Sequence, residues 1–488
     1  MRKNQNNNEN AAKKAAKPDT SNPDKTRVSI REEIKKEHKL RTQVTNSLAV
    51  NRLFKDMGQQ ELADLIGTKK STISRIESGE QNITLDYVEA IAMALDKDVR
   101  FVMENHQIEY GEVSEYYLKL YDDILLEFRL GRNDMAAEIL YVNEELKHLF
   151  PLDLELTGEG IFKWLRKRLI PKNRAMVGSI LYALNLSIQD VKGIIDVCMG
   201  LSLNDSYWVV QKTFTGSFSE YNLYQNRFNE FLSSFAFVGH GNTIDKLGTT
   251  PELTTDGMLR KTWNFSTSKG IHLYKAGTDG FANAGNEPYS EVYASQVAER
   301  MGLNAVHYNL ARWHGILASK CKLFTDIDTS YIPIGRIIKG GGIDACIEYY
   351  KKLGDDFYQE LASMLVFDAV ILNEDRHFGN FGVLRDNHTG KIIAPAPIFD
   401  NGISLLCYGM KKDLDGDLER FVNSRTNPYE KSNGFIPLAK KVMGPKQKEQ
   451  LRRLINFRFA ESDVSDLPGW RIRILEELIQ KRVKLLLD

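Results

Sequence analysis

The sequence has little of what marks secreted, membrane-spanning or zinc-binding proteins. It contains four cysteines in 488 residues, and they are scattered without a C-x-x-C pair. This excludes a disulfide framework and a cysteine-based zinc site. No apolar run reaches the ~18 residues that a membrane-spanning helix needs. The polar, Asn- and Lys-rich start has no apolar stretch typical of a secretory signal. We therefore expect a cytoplasmic protein with reduced cysteines and no membrane partner.

Excess charge of one sign is also missing. The 65 Lys and Arg residues equal the 65 Asp and Glu residues, so the formal net charge is zero. Any basic surface for nucleic acid must therefore be local. A hydrophobic fraction of 42% and a charged fraction of 27% are ordinary for globular proteins. A chain of 488 residues exceeds a single hydrophobic core, so several domains are expected.

The first segment, residues 1–43, has few apolar side chains, and its basic residues outnumber its acidic ones. Such a composition cannot bury enough apolar surface to fold, so it predicts a disordered basic tail. An alternative is a basic arm that adds phosphate contacts to a neighbouring DNA-binding unit.

Short amphipathic helices are predicted next, over residues 48–57, 59–66, 69–77 and 85–95. Gly67 suits the left-handed conformation that ends a helix. In the third helix Ile73 and Ile76 are expected to face the core, while Lys, Ser, Thr and Arg side chains are exposed. Two short helices joined by a tight turn, the second with a polar and basic face, are typical of a helix-turn-helix. A small helical protein-binding bundle is the alternative.

This part resembles the Xre/Cro-type helix-turn-helix family through Gln60-Glu61-Leu62-Ala63, Ser71 to Glu77, and Gly79. The resemblance implies binding to a double-stranded DNA operator, usually as a homodimer on paired half-sites. Gln60 and Ser71 would then contact phosphates. The side chains nearest base edges would be Lys70, Thr72, Ser74 and Arg75.

The strongest catalytic signal is Asp375, followed five positions later by Asn380, with Asp400 and Gly402 downstream. This spacing is typical of a phosphoryl-transfer loop, in which the first Asp takes the proton of the acceptor hydroxyl. The Asn and the second Asp supply hard oxygen ligands for Mg²⁺. His377 has either a catalytic role or a structural one near Asp400. The alternative without chemistry for Asp375-Arg376-His377 is a buried charge pair with a capping His.

Upstream, a glycine- and threonine-rich stretch is predicted to cover the phosphates of a nucleotide. Backbone N–H groups approach phosphate closely where no Cβ intervenes. The region spans residues 235–275 and holds Gly239, Gly241, Gly248 and Gly257; its part from Thr254 to Lys261 is predicted to lie over the nucleotide. Lys275 at the end of the next strand could reach the α- and β-phosphates. Such a lysine needs a glutamate on the following helix, and Glu291 is favoured over Glu287 because it lies inside that helix. Downstream, residues 408–434 are charged and contain several glycines, as expected beside a substrate site.

Residues 230–410 resemble the HipA-like serine/threonine kinases through Asp256-Gly257, Lys261, Lys275, Glu291, Gly302, Asp375-x-His377-x-x-Asn380 and Asp400. The resemblance implies that Asp375 is the base, that Asn380 and Asp400 hold Mg²⁺, and that ATP phosphorylates a protein hydroxyl. Thr255, Asp256, Gly257 and Lys261 would form the phosphate loop. Thr254 and Thr255 are candidates for silencing autophosphorylation. Members of this family commonly act as toxins beside a separate Xre-type antitoxin, whereas this chain carries both modules.

The sequence thus predicts a multidomain protein, with an all-α helix-turn-helix domain followed by an α+β bilobal kinase-like domain whose C-lobe is mostly helical. The predicted segments are the tail at 1–43, the DNA-binding domain at 44–105, a family-like N-terminal subdomain at 110–215, an N-lobe at 216–340 and a C-lobe at 341–488. The predicted function is an ATP- and Mg²⁺-dependent protein kinase fused to a transcriptional regulator, with an unknown protein substrate. The alternatives are a regulator whose kinase-like half only senses nucleotide, and a kinase for a lipid or small molecule.

Overall fold

The computed structural model describes residues 39–55, 57–78, 80–97, 99, 113–131, 134–184, 186–238, 249–279, 283–416, 418–429, 434–460 and 465–488. The chain divides into two compact units, Met1–Met103 and Glu104–Asp488. Most of the predicted tail (residues 1–38), Gly79 and the upstream glycines Gly239, Gly241 and Gly248 lie outside the described residues.

The first unit is helical within its described residues. Its helices are α1 Lys39–Phe54, α2 Gln59–Leu65, α3 Lys70–Glu77 and α4 Leu85–Ala94. Gly67, just after α2, has φ +70°, a conformation that glycine adopts at little cost. At the start of α4 the Thr84 hydroxyl accepts the N–H of Tyr87 at 3.3 Å, a typical N-terminal cap.

The core of the first unit confirms the inward face that the sequence predicts. Ile73 and Ile76 of α3 are buried at 0% and 1% exposure, and they pack in one cluster with Leu62, Val88 and Ile91. An ion pair lies beside this cluster. The Arg52 guanidinium pairs with the Glu77 carboxylate at 2.6 Å and so links α1 to α3.

The second unit begins with an antiparallel sheet and its helices. The strands are β1 Ser114–Leu120, β2 Asp123–Leu130, β3 Glu138–Val142 and β4 Tyr207–Gln211, in the order β3-β2-β1-β4. The helices are α5 Gly158–Arg168, α6 Val177–Ala183, α7 Val191–Cys198, α8 Phe218–Tyr221 and α9 Glu230–Val238. Trp208 of β4 is fully buried and belongs to the core of this part of the unit.

A second antiparallel sheet carries the predicted phosphate-binding lysines. It consists of β5 Lys261–Ser266, β6 Gly270–Ala276, β7 Tyr308–Trp313 and β8 Ile316–Lys322, in the order β5-β6-β8-β7. The register places Lys261 directly opposite Lys275, so both side chains lie on one face. Helix α10, Glu287–Met301, follows β6 and ends at Gly302 with φ +73°, close to the helix that the sequence predicts.

A third sheet crosses the boundary predicted between the N-lobe at 216–340 and the C-lobe at 341–488. β9 Thr329–Pro333 pairs with β10 Gly382–Asp386, which pairs in turn with β11 Ile392–Pro395. β10 and β11 form a hairpin. It needs β9 because a two-stranded hairpin is only marginally stable by itself in water.

The remainder of the second unit is mostly helical. The helices are α11 Ile334–Ile337, α12 Gly342–Leu353, α13 Asp355–Ile371, α14 Lys411–Asp415, α15 Leu418–Asn423, α16 Ile436–Val442, α17 Pro445–Arg452 and α18 Gly469–Leu487. α13 is buried along almost all of its second half and delivers the chain to Asp375. The predicted fold class, a helical unit followed by an α+β unit with a mostly helical end, is confirmed.

Among the described helices we find none with the length and apolar character needed to cross a lipid bilayer.

Ile73→Ala is expected to destabilise the first unit by about 2–4 kcal/mol, because a fully buried side chain is replaced by a cavity. Hydrogen exchange of the α2 and α3 amides in the full chain measures this loss. Leu65→Ala is the matched control, since Leu65 of the same unit is 60% exposed. Equal loss of protection in both variants would contradict the assignment of Ile73 to the core.

Candidate functional site

The centre of the candidate site is one ammonium group between two carboxylates. The Nζ atom of Lys275, on β6, donates to Glu291 Oε1 at 2.7 Å and to Asp400 Oδ1 at 2.5 Å. Glu291 lies on α10, and its other oxygen accepts the backbone N–H of Asn401 at 2.8 Å. The choice of Glu291 over Glu287 therefore agrees with the geometry. Three separate elements meet at Lys275.

Burial and charge set the protonation of this cluster. Burial alone would lower the pKa of Lys275, but the carboxylates of Asp400 and Glu291 outweigh it, and the pKa lies above its usual range. Burial likewise opposes ionisation of Asp400, yet the ammonium groups of Lys275 and Lys261 hold its pKa below the usual value. Lys275 and Asp400 are thus both charged at neutral pH.

Asp400 is held in an unusual backbone conformation. Its φ of +56° lies in the left-handed region, which residues other than glycine rarely adopt. The Asp400 N–H donates to the hydroxyl of Tyr308 at 3.2 Å. Backbone strain of this kind persists where surrounding contacts fix it, and it concentrates at functional sites.

Arg376 fixes the loop that carries Asp375. The Arg376 side chain is fully buried and pairs with Asp368 of α13 at 3.1 Å. It also donates to the backbone oxygens of Asn380 and Phe399 and to the side-chain oxygen of Asn401. Arg376 does form a buried charge pair, but its partner is Asp368 and not Asp375, and the remaining guanidinium N–H groups are satisfied by both loops. Asp375 is left for other partners.

Asp375 and Asn380 are joined through the backbone of the loop. The Asn380 side-chain N–H donates to the Asp375 carbonyl at 2.9 Å, which assigns the amide orientation and leaves Asn380 Oδ1 for another ligand. Burial raises the pKa of Asp375, with a further contribution from the negative charge of Asp400. One carboxylate with a raised pKa beside one with a lowered pKa is the usual arrangement of a base and a charged ligand.

The oxygen donors of this centre fit Mg²⁺. Asn380 Oδ1 and the carboxylate of the half-buried Asp400 are hard oxygen ligands, and Mg²⁺ is commonly held by one or two such groups together with substrate phosphates. Both candidate ligands are oxygen atoms, and the site does not depend on a sulfur or imidazole ligand. The residues present therefore fit the predicted metal.

Among the described residues, His377 forms no hydrogen bond with Lys275, Glu291 or Asp400, but against the larger effect of burial its charge acts to lower the pKa of the Asp375 carboxyl. Its ring is exposed, and its Nδ1 atom accepts the backbone N–H of Gly379 at 2.9 Å. The bond tightens the turn between Asp375 and Asn380. This local role favours the structural interpretation of His377 over the catalytic one.

The predicted phosphate loop is held by a buried arginine that no sequence motif indicates. Arg174 forms a fully buried ion pair with Glu252 at 2.7 Å. Its guanidinium also donates to the backbone oxygens of Glu252, Thr255 and Lys261. An unpaired loop carbonyl would be costly to bury, so this one side chain defines the path of the loop.

Within the loop, Gly257 and Lys261 lie together. Gly257 has φ +91°, and a Cβ atom there would lie 2.1 Å from the Nζ atom of Lys261. That ammonium donates to the carbonyl of Asp256 at 2.7 Å, whereas the Asp256 side chain is exposed and bonds the Gly257 N–H. Burial, and then the charge of Lys275, lower the pKa of Lys261 to about 7. Two lysine side chains on one face of the sheet thus favour the binding of an anion there.

The two predicted autophosphorylation hydroxyls are occupied. Thr254 is buried, and its hydroxyl donates to the Leu201 carbonyl at 2.6 Å. The half-buried Thr255 hydroxyl donates to Pro251 at 2.7 Å and accepts the Trp263 indole N–H at 3.0 Å. Phosphorylation of either residue would require the loop to leave this arrangement.

Glu287 contributes a contact that the sequence did not indicate. The buried Glu287 carboxylate accepts the hydroxyls of Thr278 at 2.7 Å and Tyr408 at 3.1 Å. It therefore fastens the loop after β6 to the segment after Asp400. A dipole contact at the helix start, expected from position alone, is only part of its role.

The predicted DNA-contacting residues lie on the surface of the first unit. Gln60, Lys70, Ser71, Ser74 and Arg75 are exposed, and Thr72 is half-buried. The Gln60 amide donates to the Asp64 carboxylate at 2.7 Å, so it is already oriented at the start of α2. The polar face of α3 is open, as a recognition helix requires.

Comparison with known families confirms the helix-turn-helix predicted near the start of the chain. A helix-turn-helix family model matches residues 55–102, which include α2, α3 and α4. These residues form a helix-turn-helix DNA-binding domain of the Xre type. A sequence search of curated proteins finds no match to the chain.

Several solved structures are similar to the chain, among them a kinase and a toxin–antitoxin complex. The proinflammatory kinase CtkA of Helicobacter pylori shares 16% identity with a TM-score of 0.37, over 48% of this chain and 92% of that chain. A chain of the toxin–antitoxin complex of HipA, HipB and operator DNA from Shewanella oneidensis MR-1 shares 12% identity with a TM-score of 0.49, over 76% of this chain and 96% of that chain. Because both scores are below 0.5, we take the chemistry from the site alone.

Arg376→Met is expected to destabilise the second unit by about 3–5 kcal/mol, because the buried Asp368 carboxylate loses its charge partner. Urea unfolding followed by tryptophan fluorescence reports on this unit alone, since all five tryptophans lie in it. Adding Asp368→Asn should recover part of the loss. If Arg376→Met alone were as stable as the wild type, the proposed role of Arg376 in holding the catalytic loop would be contradicted.

Binding of the ATP phosphates is expected to be accompanied by the uptake of a proton at Lys261. Without bound phosphate, the pKa of the Lys261 ammonium is about 7, and the negative charge of a bound phosphate must raise that pKa. The affinity for ATP is therefore full below pH 7 and falls as the pH rises above 7. ATP calorimetry at alkaline pH, in two buffers of different ionisation enthalpy, measures the uptake. Lys261→Gln should abolish it. Affinity that is independent of pH in the wild type would refute the prediction.

Proposed function

We propose that the chain is an ATP- and Mg²⁺-dependent protein serine/threonine kinase of the HipA type, fused to a DNA-binding regulator. The observation that supports the kinase most directly is Lys275, held between Glu291 and Asp400 at 2.7 and 2.5 Å. A lysine paired with a helix glutamate and placed beside a metal-binding aspartate is the arrangement that phosphoryl transfer requires.

Each residue of the site has one task in this proposal. Lys275 binds the phosphates of ATP as a fixed positive charge, because Glu291 restricts its side chain. Lys261 and the backbone of the loop from Thr255 to Gly257 bind the same phosphates from the other side. Asp375 orients the acceptor hydroxyl and takes its proton, for which its raised pKa is suited.

Asn380 and Asp400 would hold the magnesium ion, which when bound neutralises the negative charge that the phosphates carry. Arg376 keeps both ligands in register, since it donates to the carbonyl of Asn380 and to that of Phe399, which precedes Asp400. The pair is therefore positioned by the protein before a nucleotide arrives.

The helix-turn-helix domain would bind an operator upstream of the chain's own reading frame and repress it as a homodimer. Arg75 and Lys70 would contact the major groove, with Thr72 and Ser74 beside them, while Gln60 and Ser71 position the backbone phosphates. A kinase joined to such a repressor fits a role related to toxin–antitoxin systems, with both modules in one chain.

Asp375→Asn is expected to lower phosphate transfer by at least about 100-fold, because the base is lost, while DNA binding remains. Phosphate transfer from labelled ATP to added protein and a gel shift with the upstream DNA are measured on the same preparation. Arg75→Ala should show the opposite pattern. The reciprocal pair controls for misfolding.

Two outcomes would contradict the proposal. Equal transfer in the wild type and Asp375→Asn would remove Asp375 as the base. Binding of Mg-ATP without transfer to any added protein would favour the alternative of a regulator whose kinase-like half only senses nucleotide.

A further inference from the structure

A surface segment of the second unit, residues 425–429, lies against the catalytic loop. The carboxylate of Glu374 holds this segment. Glu374 Oε1 accepts the backbone N–H of Thr426 at 2.8 Å and the Thr426 hydroxyl at 3.3 Å, while its other oxygen accepts Arg425 at 3.2 Å. Farther along the segment, the ring of Tyr429 stacks on Phe378 with centroids 5.7 Å apart. The segment is thus held on both sides of Asp375.

Glu374 has no role in the proposed chemistry, yet it is the residue next to Asp375. Its backbone is fixed, because its N–H donates to the Ile403 carbonyl at 3.0 Å, and the Asp375 N–H donates to the Asn373 side chain at 3.0 Å. The position of the Glu374 side chain is therefore tied to that of the base. A hydroxyl bound to Glu374 lies in the immediate surroundings of the site.

Thr426 differs from the other candidate hydroxyls in two respects. It is exposed, whereas Thr254 is buried and Thr255 is half-buried. Its hydroxyl makes one long contact with a carboxylate, whereas the Thr254 and Thr255 hydroxyls donate to the backbone carbonyls of Leu201 at 2.6 Å and Pro251 at 2.7 Å. Thr426 can therefore leave its partner at lower cost than either of them.

We propose that Thr426 is a phosphorylation site of this chain and that its phosphoryl group detaches the segment from Glu374. The inference rests on the proposed kinase function. In the transfer, the bond between the γ-phosphorus of ATP and its bridging oxygen breaks, and the electron pair leaves with ADP. A bond forms from Thr426 Oγ1 to that phosphorus, and the hydroxyl proton passes to Asp375.

The charges explain why the contact cannot survive modification. A phosphorylated threonine carries about −1.5 to −2 charges at neutral pH and would face the Glu374 carboxylate directly. Arg425 cannot neutralise both groups, and the phosphate competes for it as the stronger partner. The Thr426 N–H and Arg425 are therefore withdrawn from Glu374 together. This would free the approach to Asp375 for a protein substrate.

The test is phosphopeptide mapping of the full chain after incubation with Mg-ATP, with casein present as an added acceptor. Wild type, Asp375→Asn, Thr426→Val and the neighbouring control Ser424→Ala are compared. Ser424 is also exposed, and its hydroxyl donates to the Phe421 carbonyl. We expect phosphate on Thr426 in wild type and Ser424→Ala, and at least a tenfold loss in Asp375→Asn.

Hydrogen exchange then tests the release. The backbone N–H of Thr426 should exchange at least ten times faster in the phosphorylated wild type than in Thr426→Val incubated in the same way. Phosphate on Thr426 with unchanged exchange would overturn the detachment.

The remaining outcomes separate this inference from the proposed function. Phosphorylated casein with an unmodified Thr426, or phosphate only at other residues of the chain, would overturn the site and leave the kinase intact. No phosphate on casein or on the chain would overturn both.

Discussion

The placement of one ammonium group between two carboxylates is the interaction on which the second unit's site depends. Lys275 belongs to β6, Glu291 to α10 and Asp400 to the loop after β11, and without Lys275 the buried Glu291 carboxylate and the half-buried Asp400 carboxylate would repel each other. The raised pKa of Lys275 and the lowered pKa of Asp400 express the same attraction. Three elements that are far apart in the sequence are thereby held together around Lys275. A phosphate group could replace one of the two carboxylates as the partner of the Lys275 ammonium.

Buried arginines extend this arrangement outward. Arg376 joins the catalytic loop to the segment of Asp400, and Arg174 defines the phosphate loop. Both guanidinium groups combine one carboxylate with several backbone carbonyls. Loops cannot satisfy their own carbonyls as helices and strands do, so the planar, multiply donating arginine side chain is suited to this task. These residues position the site without touching a substrate.

The sequence predicts the residues of the candidate site better than the side chains that support them. Asp375, Asn380, Asp400, Lys275 and Glu291 can be picked out because their types and order match the pattern of a phosphoryl-transfer site, and the helix from Glu287 ends at Gly302 as its glycine indicates. Arg174 and Arg376 are not, because their partners depend on long-range packing. The pairing of β9 with β10 has the same origin, since a strand's own residues do not specify which sheet it joins.

The claim that Lys275, Glu291 and Asp400 form a magnesium–nucleotide site is tested most directly by calorimetric titration of ATP into wild type and Lys275→Met, with and without Mg²⁺. We predict that wild type binds ATP more tightly with Mg²⁺, and that Lys275→Met loses binding while its DNA affinity is unchanged. Unchanged ATP affinity in Lys275→Met, or wild-type protein that binds no ATP in the presence of Mg²⁺, would contradict the account.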